Sequence, residues 1–202
     1  GFSQAVLDGY SDKLDETAVG YLNRVRSASQ KLSHLIDEFL NLARVSRTEC
    51  NAAPVNLSKV AHSIMETLRN GDPSKQVRIT IENDLNDFAD PYHIKIVLQN
   101  LLENAWKYTS KTDEASITFG SYEQEGKQIY FVKDNGAGFN MDYVNKLFIP
   151  FQRLHHEKDY PGTGIGLATV KWIIDRHKGD IWADSCIDEG ATFYFTLDAK
   201  HQ

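Results

Sequence analysis

No part of this chain narrows its possible folds as sharply as three segments met in order. They are Asn100-Leu-Leu-Glu-Asn104-Ala-Trp-Lys107-Tyr108, then Asp134-Asn-Gly136-Ala-Gly138, then Gly162-Thr163-Gly164-Ile165-Gly166-Leu167. Asp90-Pro91 opens the helix that carries the first, as cap and first residue. At about 100° per residue, Asn100, Asn104 and Lys107 fall within about 60° of one another. Ile94, Leu98, Leu101, Leu102 and Ala105 occupy a separate apolar arc. The helix can therefore bury one side and offer amides and a cation on the other. Mg²⁺ keeps several waters, so the Asn104 carbonyl with phosphate oxygens is a sufficient site. Lys107 suits a phosphate as a point charge. Tyr108, one step round, can pack on a nucleotide.

Asp134 ends a strand-like run, and the two glycines after it allow a tight turn beside a planar base. A carboxylate there can accept from the exocyclic amine of adenine, where guanine presents a carbonyl. That selects ATP. The third segment leads into a helix, whose N-terminus and freed backbone N–H groups receive phosphate. It is no dinucleotide fingerprint, because no strand runs directly into it. Between the glycine turns lies Leu147-Phe148-Ile-Pro150-Phe151-Gln-Arg153. Phe148 and Phe151 are expected to anchor a loop over 152–161, which lacks periodicity and reads as mobile. Arg153 is expected to reach a γ-phosphate and offset charge during transfer. Each segment alone has an ordinary alternative: a polar helix surface, an Asp-Asn-Gly turn, a flexible hinge. The three together, in this order, describe one ATP pocket.

Residues 1–47 read differently. Tyr21, Val25, Ala28, Leu32, Leu35, Phe39 and Leu42 alternate at spacings of four and three, the seam of a bundle or coiled-coil helix. Asp15 is its expected cap, and about 30 helical residues would span ~45 Å. Residues 1–10 look like the tail of a preceding helix. Residues 48–56 read as a linker around Asn51-Ala-Ala-Pro54, and 57–202 as one domain. In that domain helices are expected at 58–69, 91–108, 141–147 and 165–177. Strands are expected at 77–81, 115–122, 128–133, 181–185 and 191–197, antiparallel. Blocks of strands and helices without a regular βαβ repeat argue for an α+β fold, a two-layer α/β sandwich.

The net charge of −6 gives no reason to expect nucleic-acid binding. No apolar run approaches the roughly 20 residues of a membrane span. Cys50 and Cys186 match no local metal or redox motif and read as two unrelated buried thiols in a reducing cytosol. There is no signal peptide and no initiating Met, so the chain is expected to be a piece of a longer, cytoplasmic or membrane-anchored protein.

These residues resemble the ATP-binding domain of sensor histidine kinases over about 55–198. NLLENAWKYT is similar to that family's asparagine box, DNGAGF to its first glycine box, FIPFQR to its phenylalanine box and GTGIGL to its second glycine box. Glu189-Gly190-Ala-Thr192-Phe resembles the final box and brings Thr192 into the expected site. There Asp188 stands where the family has a glycine, so this chain departs from the family's pattern at that turn. The resemblance implies the Bergerat fold, ATP and Mg²⁺ as ligands, and a response regulator receiver domain as partner. It also implies a homodimer in the parent protein. Residues 1–47 resemble the family's dimerisation and phosphotransfer hairpin, with 35–44 similar to its second helix. The phosphate-accepting box, a His and an acidic residue before Leu-Arg-x-Pro-Leu, is absent from the context of all seven histidines. The acceptor is therefore expected upstream.

Two competing functions follow from the same residues. ATP hydrolases of this superfamily place a Glu where this chain has Asn100, and an amide is a poor general base. Glu103 lies on another part of the helix. A non-catalytic ATP-binding scaffold is the other alternative.

Overall fold

The computed structural model describes residues 2–47, 50–155 and 159–198. The chain separates into two compact units, Gly1–Ser46 and Arg47–Gln202. The first contains α1 (Phe2–Tyr10), a 3-10 turn (Ser11–Lys13) and α2 (Glu16–Arg47). Asp15 caps α2, its carboxylate accepting the Ala18 N–H at 2.7 Å. The Arg26 guanidinium donates to the Gln4 side chain at 2.8 Å and links the two helices. Along the apolar seam Tyr21, Val25, Leu32 and Phe39 are each more than half exposed. The side chains of His34 and Leu42 lie outside the described set.

The second unit begins with β1 (Ala53–Asn56), α3 (Leu57–Gly71), β2 (Arg78–Ile81), β3 (Asn86–Ala89) and α4 (Pro91–Tyr108). It continues with β4 (Ser116–Gln124), β5 (Lys127–Asp134), a 3-10 helix (Met141–Lys146), α5 (Gly166–Arg176), β6 (Ile181–Cys186) and β7 (Gly190–Thr196). The segment 53–56, read from sequence as linker, is a strand. It pairs antiparallel with β3, which the sequence does not announce. Pro54 fits there because a two-stranded ladder has an open edge that needs no N–H.

The main sheet runs β2-β4-β5-β7-β6. Its β2–β4 pair is parallel, against the all-antiparallel expectation. The chain between those strands passes through β3 and α4, and such a crossover returns it in the same direction. Alternate residues Ile117, Phe119, Tyr130, Val132, Phe193 and Phe195 are buried, so one sheet face forms the core beneath the helices. Helix α4 packs on β4 and β5 and is flanked by α3 and α5. Its expected apolar arc is fully used: Ile94, Leu98, Leu101, Leu102 and Ala105 are all buried. The Asp90 carboxylate accepts the Tyr92 and His93 N–H groups at 2.9 and 3.0 Å and starts α4 where Pro91 can follow. The helix expected over 141–147 is the 3-10 helix Met141–Lys146, capped by Asn140, rather than an α-helix. Helix α5 turns off through Lys178 at φ +54, not through Gly179.

The candidate nucleotide site

Asn100, Asn104 and Lys107 emerge together on the half-buried side of α4. The Lys107 ammonium donates to Asn104 Oδ1 at 3.0 Å and stands 4.4 Å above the Tyr108 ring. Asn100 donates to the Ile96 carbonyl at 2.9 Å. Its side chain also lies against Gly166, the first residue of α5, where any Cβ would overlap Asn100 Oδ1. This joins the first and third segments, which are distant in sequence. Gly162 is beside Lys107: a Cβ there would sit 3.3 Å from its Nζ.

The end of β5 forms the floor. Asp134 is 4% exposed, and its Oδ1 accepts the Gly136 N–H at 2.9 Å. Burial pushes its carboxyl up to about 6, although the Gly136 and Ala191 amides act to lower it. An ionisable group held near neutrality in a cleft is a mark of a functional position. The Ala137 N–H donates to the Tyr108 carbonyl at 3.2 Å and locks this turn to the end of α4. Gly138 takes φ +56, and a Cβ would collide with the Cys186 carbonyl. No other residue satisfies both conditions.

The final box forms its turn without the family's usual glycine. Asp188 adopts φ +61, a region Asp tolerates better than most, and its N–H donates to the Ala137 carbonyl at 2.8 Å. Thr192 is a correction. It is registered with Lys133 and Asp184, whereas Asp134 is registered with Ala191. Side chains alternate along a strand, so Thr192 faces away from the Asp134 pocket.

At the second glycine box, Gly164 takes φ +80 and lies against the backbone of Phe151 and Gln152. The Phe151 N–H donates to the Gly164 carbonyl at 2.9 Å. Thr163 Oγ1 meets the Ile165 N–H at 3.4 Å, just ahead of α5. Ile165 is fully buried and belongs to the core, so only its backbone can face a ligand; Leu167 is half-buried. Phe151 corrects the anchoring expectation. Its backbone turns through φ +64 to meet Gly164, and its ring is 62% exposed. Leu147 is buried and Phe148 half-buried, so they hold the loop base instead.

The described part of loop 152–161 is packed rather than loose. The Arg153 guanidinium donates to the Tyr160 carbonyl at 2.6 Å. Tyr160 is 7% exposed, and its ring lies 5.0 Å from Tyr108. His155 packs on the same pair, at 5.0 Å from Tyr108 and 5.3 Å from Tyr160. Burial lowers the pKa of His155 and raises that of Tyr108. Sequence reasoning missed His155 and Tyr160. The available signal was a pair of aromatic rings in a polar loop just ahead of a glycine box. Cys186, expected to be buried, is exposed, and Cys50 is half-buried.

Known proteins place this arrangement. Residues 89–201 match the family described as "Histidine kinase-, DNA gyrase B-, and HSP90-like ATPase". The phytochrome-like protein Cph1 of Synechocystis sp. is 31% identical over 188 residues, covering 93% of this chain and 25% of its own length. The adaptive-response sensory kinase SasA of Nostoc sp. is 33% identical over 184 residues, covering 89% of this chain and 46% of its own. This chain thus spans a quarter to a half of those relatives. Among solved structures, the catalytic domain of the histidine kinase ThkA is 26% identical with a TM-score of 0.61, over 73% of this chain and 97% of that domain. Full-length ShkA in complex with AMPPNP matches in fold, with a TM-score of 0.69 at 20% identity, over 98% of this chain and 41% of ShkA. The chain belongs to the histidine kinase-, DNA gyrase B- and HSP90-like ATPase family, and its second unit is an ATP-binding Bergerat domain of the sensor histidine kinase kind.

Proposed function

We propose that this unit binds Mg-ATP and donates the γ-phosphoryl group to a histidine outside residues 1–202, for relay to a receiver-domain Asp of a response regulator. The observation that supports the reading is that Lys107 bonds Asn104 beside Gly162, while the turn that follows the buried Asp134 is bonded to the Tyr108 carbonyl. Asp134 accepts from the adenine amine, and Tyr108 packs beside the base. Lys107 and the N–H groups of Gly162, Thr163, Gly164, Ile165 and Gly166, with the adjoining Leu167, hold the phosphates. Asn104 fits Mg²⁺: its amide oxygen keeps a lone pair beyond the one Lys107 uses. The ion when bound neutralises phosphate charge.

Phosphoryl transfer asks the protein mainly for position and charge. The acceptor nitrogen forms a bond to the γ-phosphorus, the bond to the β–γ bridging oxygen breaks, and ADP leaves. Arg153, held by the Tyr160 carbonyl in the loop beside the glycine box, faces the charge that develops. Asn100 and Glu103 speak against hydrolysis. Asn100 is an amide held on the Ile96 carbonyl, and Glu103 is exposed and bonded to Gln99 at 2.8 Å. Neither of the two is therefore offered to a water as a base. In this reading the exposed seam of α2 is the dimerisation surface of the parent protein. The module works on the cytoplasmic side, where ATP is available. No helix among the described residues is long and apolar enough to cross a membrane.

Calorimetric titration tests the binding half. ATP is expected to bind at least tenfold tighter than GTP, and Mg²⁺ to strengthen ATP binding. In Asn104→Ala that strengthening should vanish. Equal affinity for GTP, or Mg²⁺ dependence that survives the substitution, would overturn these assignments.

A further inference from the structure

Three side chains from distant parts of the sequence meet at the ends of α4 and α5 that point away from the nucleotide. Cys50 precedes β1, His93 is the third residue of α4 and His177 caps α5. Their ligand atoms all lie within 4.8 Å of one another. Cys50 Sγ stands 3.5 Å from His177 Nε2, and the two imidazole rings meet edge-on at 6.0 Å. The three belong to one compact unit.

His93 is the anomaly. It is 1% exposed, and among the described residues neither ring nitrogen has a hydrogen-bond partner. The Asp90 Oδ2 oxygen is 3.8 Å from Nδ1, beyond hydrogen-bond reach. A neutral imidazole has one donor and one acceptor, and burying both unmade is unfavourable enough to need an explanation. His177 is prepared differently. Its Nδ1 donates to the Ile173 carbonyl at 2.8 Å, which fixes the proton there and leaves the lone pair on Nε2. Imidazoles that ligate metals are oriented by the same kind of backbone hydrogen bond. That lone pair accepts the Asp90 N–H at 3.1 Å.

We propose that Cys50, His93 and His177 form a binding site for a thiophilic d¹⁰ cation, Zn²⁺ or Cu⁺. A thiolate with two imidazoles suits these ions and does not suit Mg²⁺, which takes oxygen. Tetrahedral coordination with Zn–S near 2.3 Å and Zn–N near 2.0–2.1 Å places sulfur and nitrogen about 3.6 Å apart. The Cys50–His177 separation of 3.5 Å meets that spacing. Binding releases the thiol proton to solvent and leaves a thiolate on the metal. It gives one orphaned His93 nitrogen a partner and takes the His177 lone pair from the Asp90 amide. Cys50 is half-buried, which leaves a route in from solvent. The site lies about 16 Å along each helix from Asn104 and Gly166, so it is separate from the nucleotide cleft. An ion there would fasten the start of the second unit to the far ends of the two helices that carry the phosphate-facing groups.

The test titrates the whole chain, reduced and stripped with chelator, in the absence of nucleotide. Zn²⁺ and Co²⁺ are added in air and Cu⁺ without oxygen. One equivalent of Zn²⁺ or Cu⁺ is expected to bind and to raise the melting temperature, as a ligand of the folded state must. Co²⁺ should give a thiolate charge-transfer band and tetrahedral ligand-field bands. Cys50→Ser should remove the charge-transfer band and weaken binding at least tenfold, and His93→Gln should weaken it likewise. Cys186→Ser should change neither, and ATP affinity should be unaltered in Cys50→Ser. Binding of one of the two ions alone identifies the cation and supports the site. Absence of stoichiometric binding of both, or binding that survives Cys50→Ser, would overturn it. If His93→Gln fails to fold, Cys50→Ser decides.

Discussion

Asp134→Asn is expected to stabilise the protein while weakening its hold on ATP. Asp134 is almost fully buried, and burial holds its carboxyl at about 6, above an ordinary 3.8. A carboxyl with a higher pKa in the folded chain binds its proton more tightly when folded. Its contribution therefore favours folding fully below pH about 3.8 and is lost as pH rises through about 6. Above that, the ionised group costs roughly 3 kcal/mol relative to its neutral form. Asn carries no charge to desolvate. It keeps an oxygen for the Gly136 N–H but turns an amino group towards the Ala191 amide. That forfeits one hydrogen bond, worth about 1–1.5 kcal/mol. The balance is about 1–2 kcal/mol of stabilisation near pH 7.5, a rise in Tm of about 2–8 °C for a domain of this size. Thermal melts of both chains from pH 4.5 to 8 read it. The gap should be widest above pH 7 and close towards pH 4.5, where the native carboxyl is itself neutral. ATP affinity should fall about 10–100-fold, since a hydrogen bond to a charged acceptor becomes one to a neutral acceptor. A lower Tm for Asp134→Asn at pH 7.5, or undiminished ATP affinity, would refute the reasoning.

Three further outcomes follow from the same structure. Arg153→Ala should leave ATP affinity within a few-fold and slow phosphoryl transfer to a histidine-bearing acceptor by about 10²–10³, read by rapid quench. Gly138→Ala should destabilise by about 3 kcal/mol or more in denaturant melts, because the left-handed φ and the Cys186 carbonyl both exclude a side chain. Asp90→Ala removes the α4 cap and the partner of the Asn51 N–H at 3.0 Å; it should cost about 2 kcal/mol by the same measurement.

The sequence was most readable where one element satisfies its own pattern. The α4 arc, its Asp90-Pro91 start and the Asp15 cap all depend on residues within one or two turns. What was not readable depends on distant partners. Asn86–Ala89 is a strand only because Ala53–Asn56 comes to pair with it, and four half-polar residues carry no period of their own. The parallel β2–β4 pairing is a property of the crossover and not of either strand. Asp188 and Lys178 adopt left-handed backbone without a glycine to announce it, and Phe151 spends its expected apolar contact on a backbone turn. Thr192 fell to a one-residue parity that only the strand register fixes. The Cys50, His93 and His177 cluster is gathered across 127 residues, so no local spacing betrays it.

The central claim is that the cleft serves a kinase whose acceptor histidine is not among the seven in this chain. The measurement that tests it most directly incubates the chain with saturating Mg²⁺ and γ-labelled ATP, and follows ADP release and protein-bound label over time. The account predicts bound ATP with neither steady ADP release nor label on the chain. Steady ADP release would reveal a hydrolase with a base other than Glu103, and acid-labile label would make one of the seven histidines an acceptor; either result contradicts it.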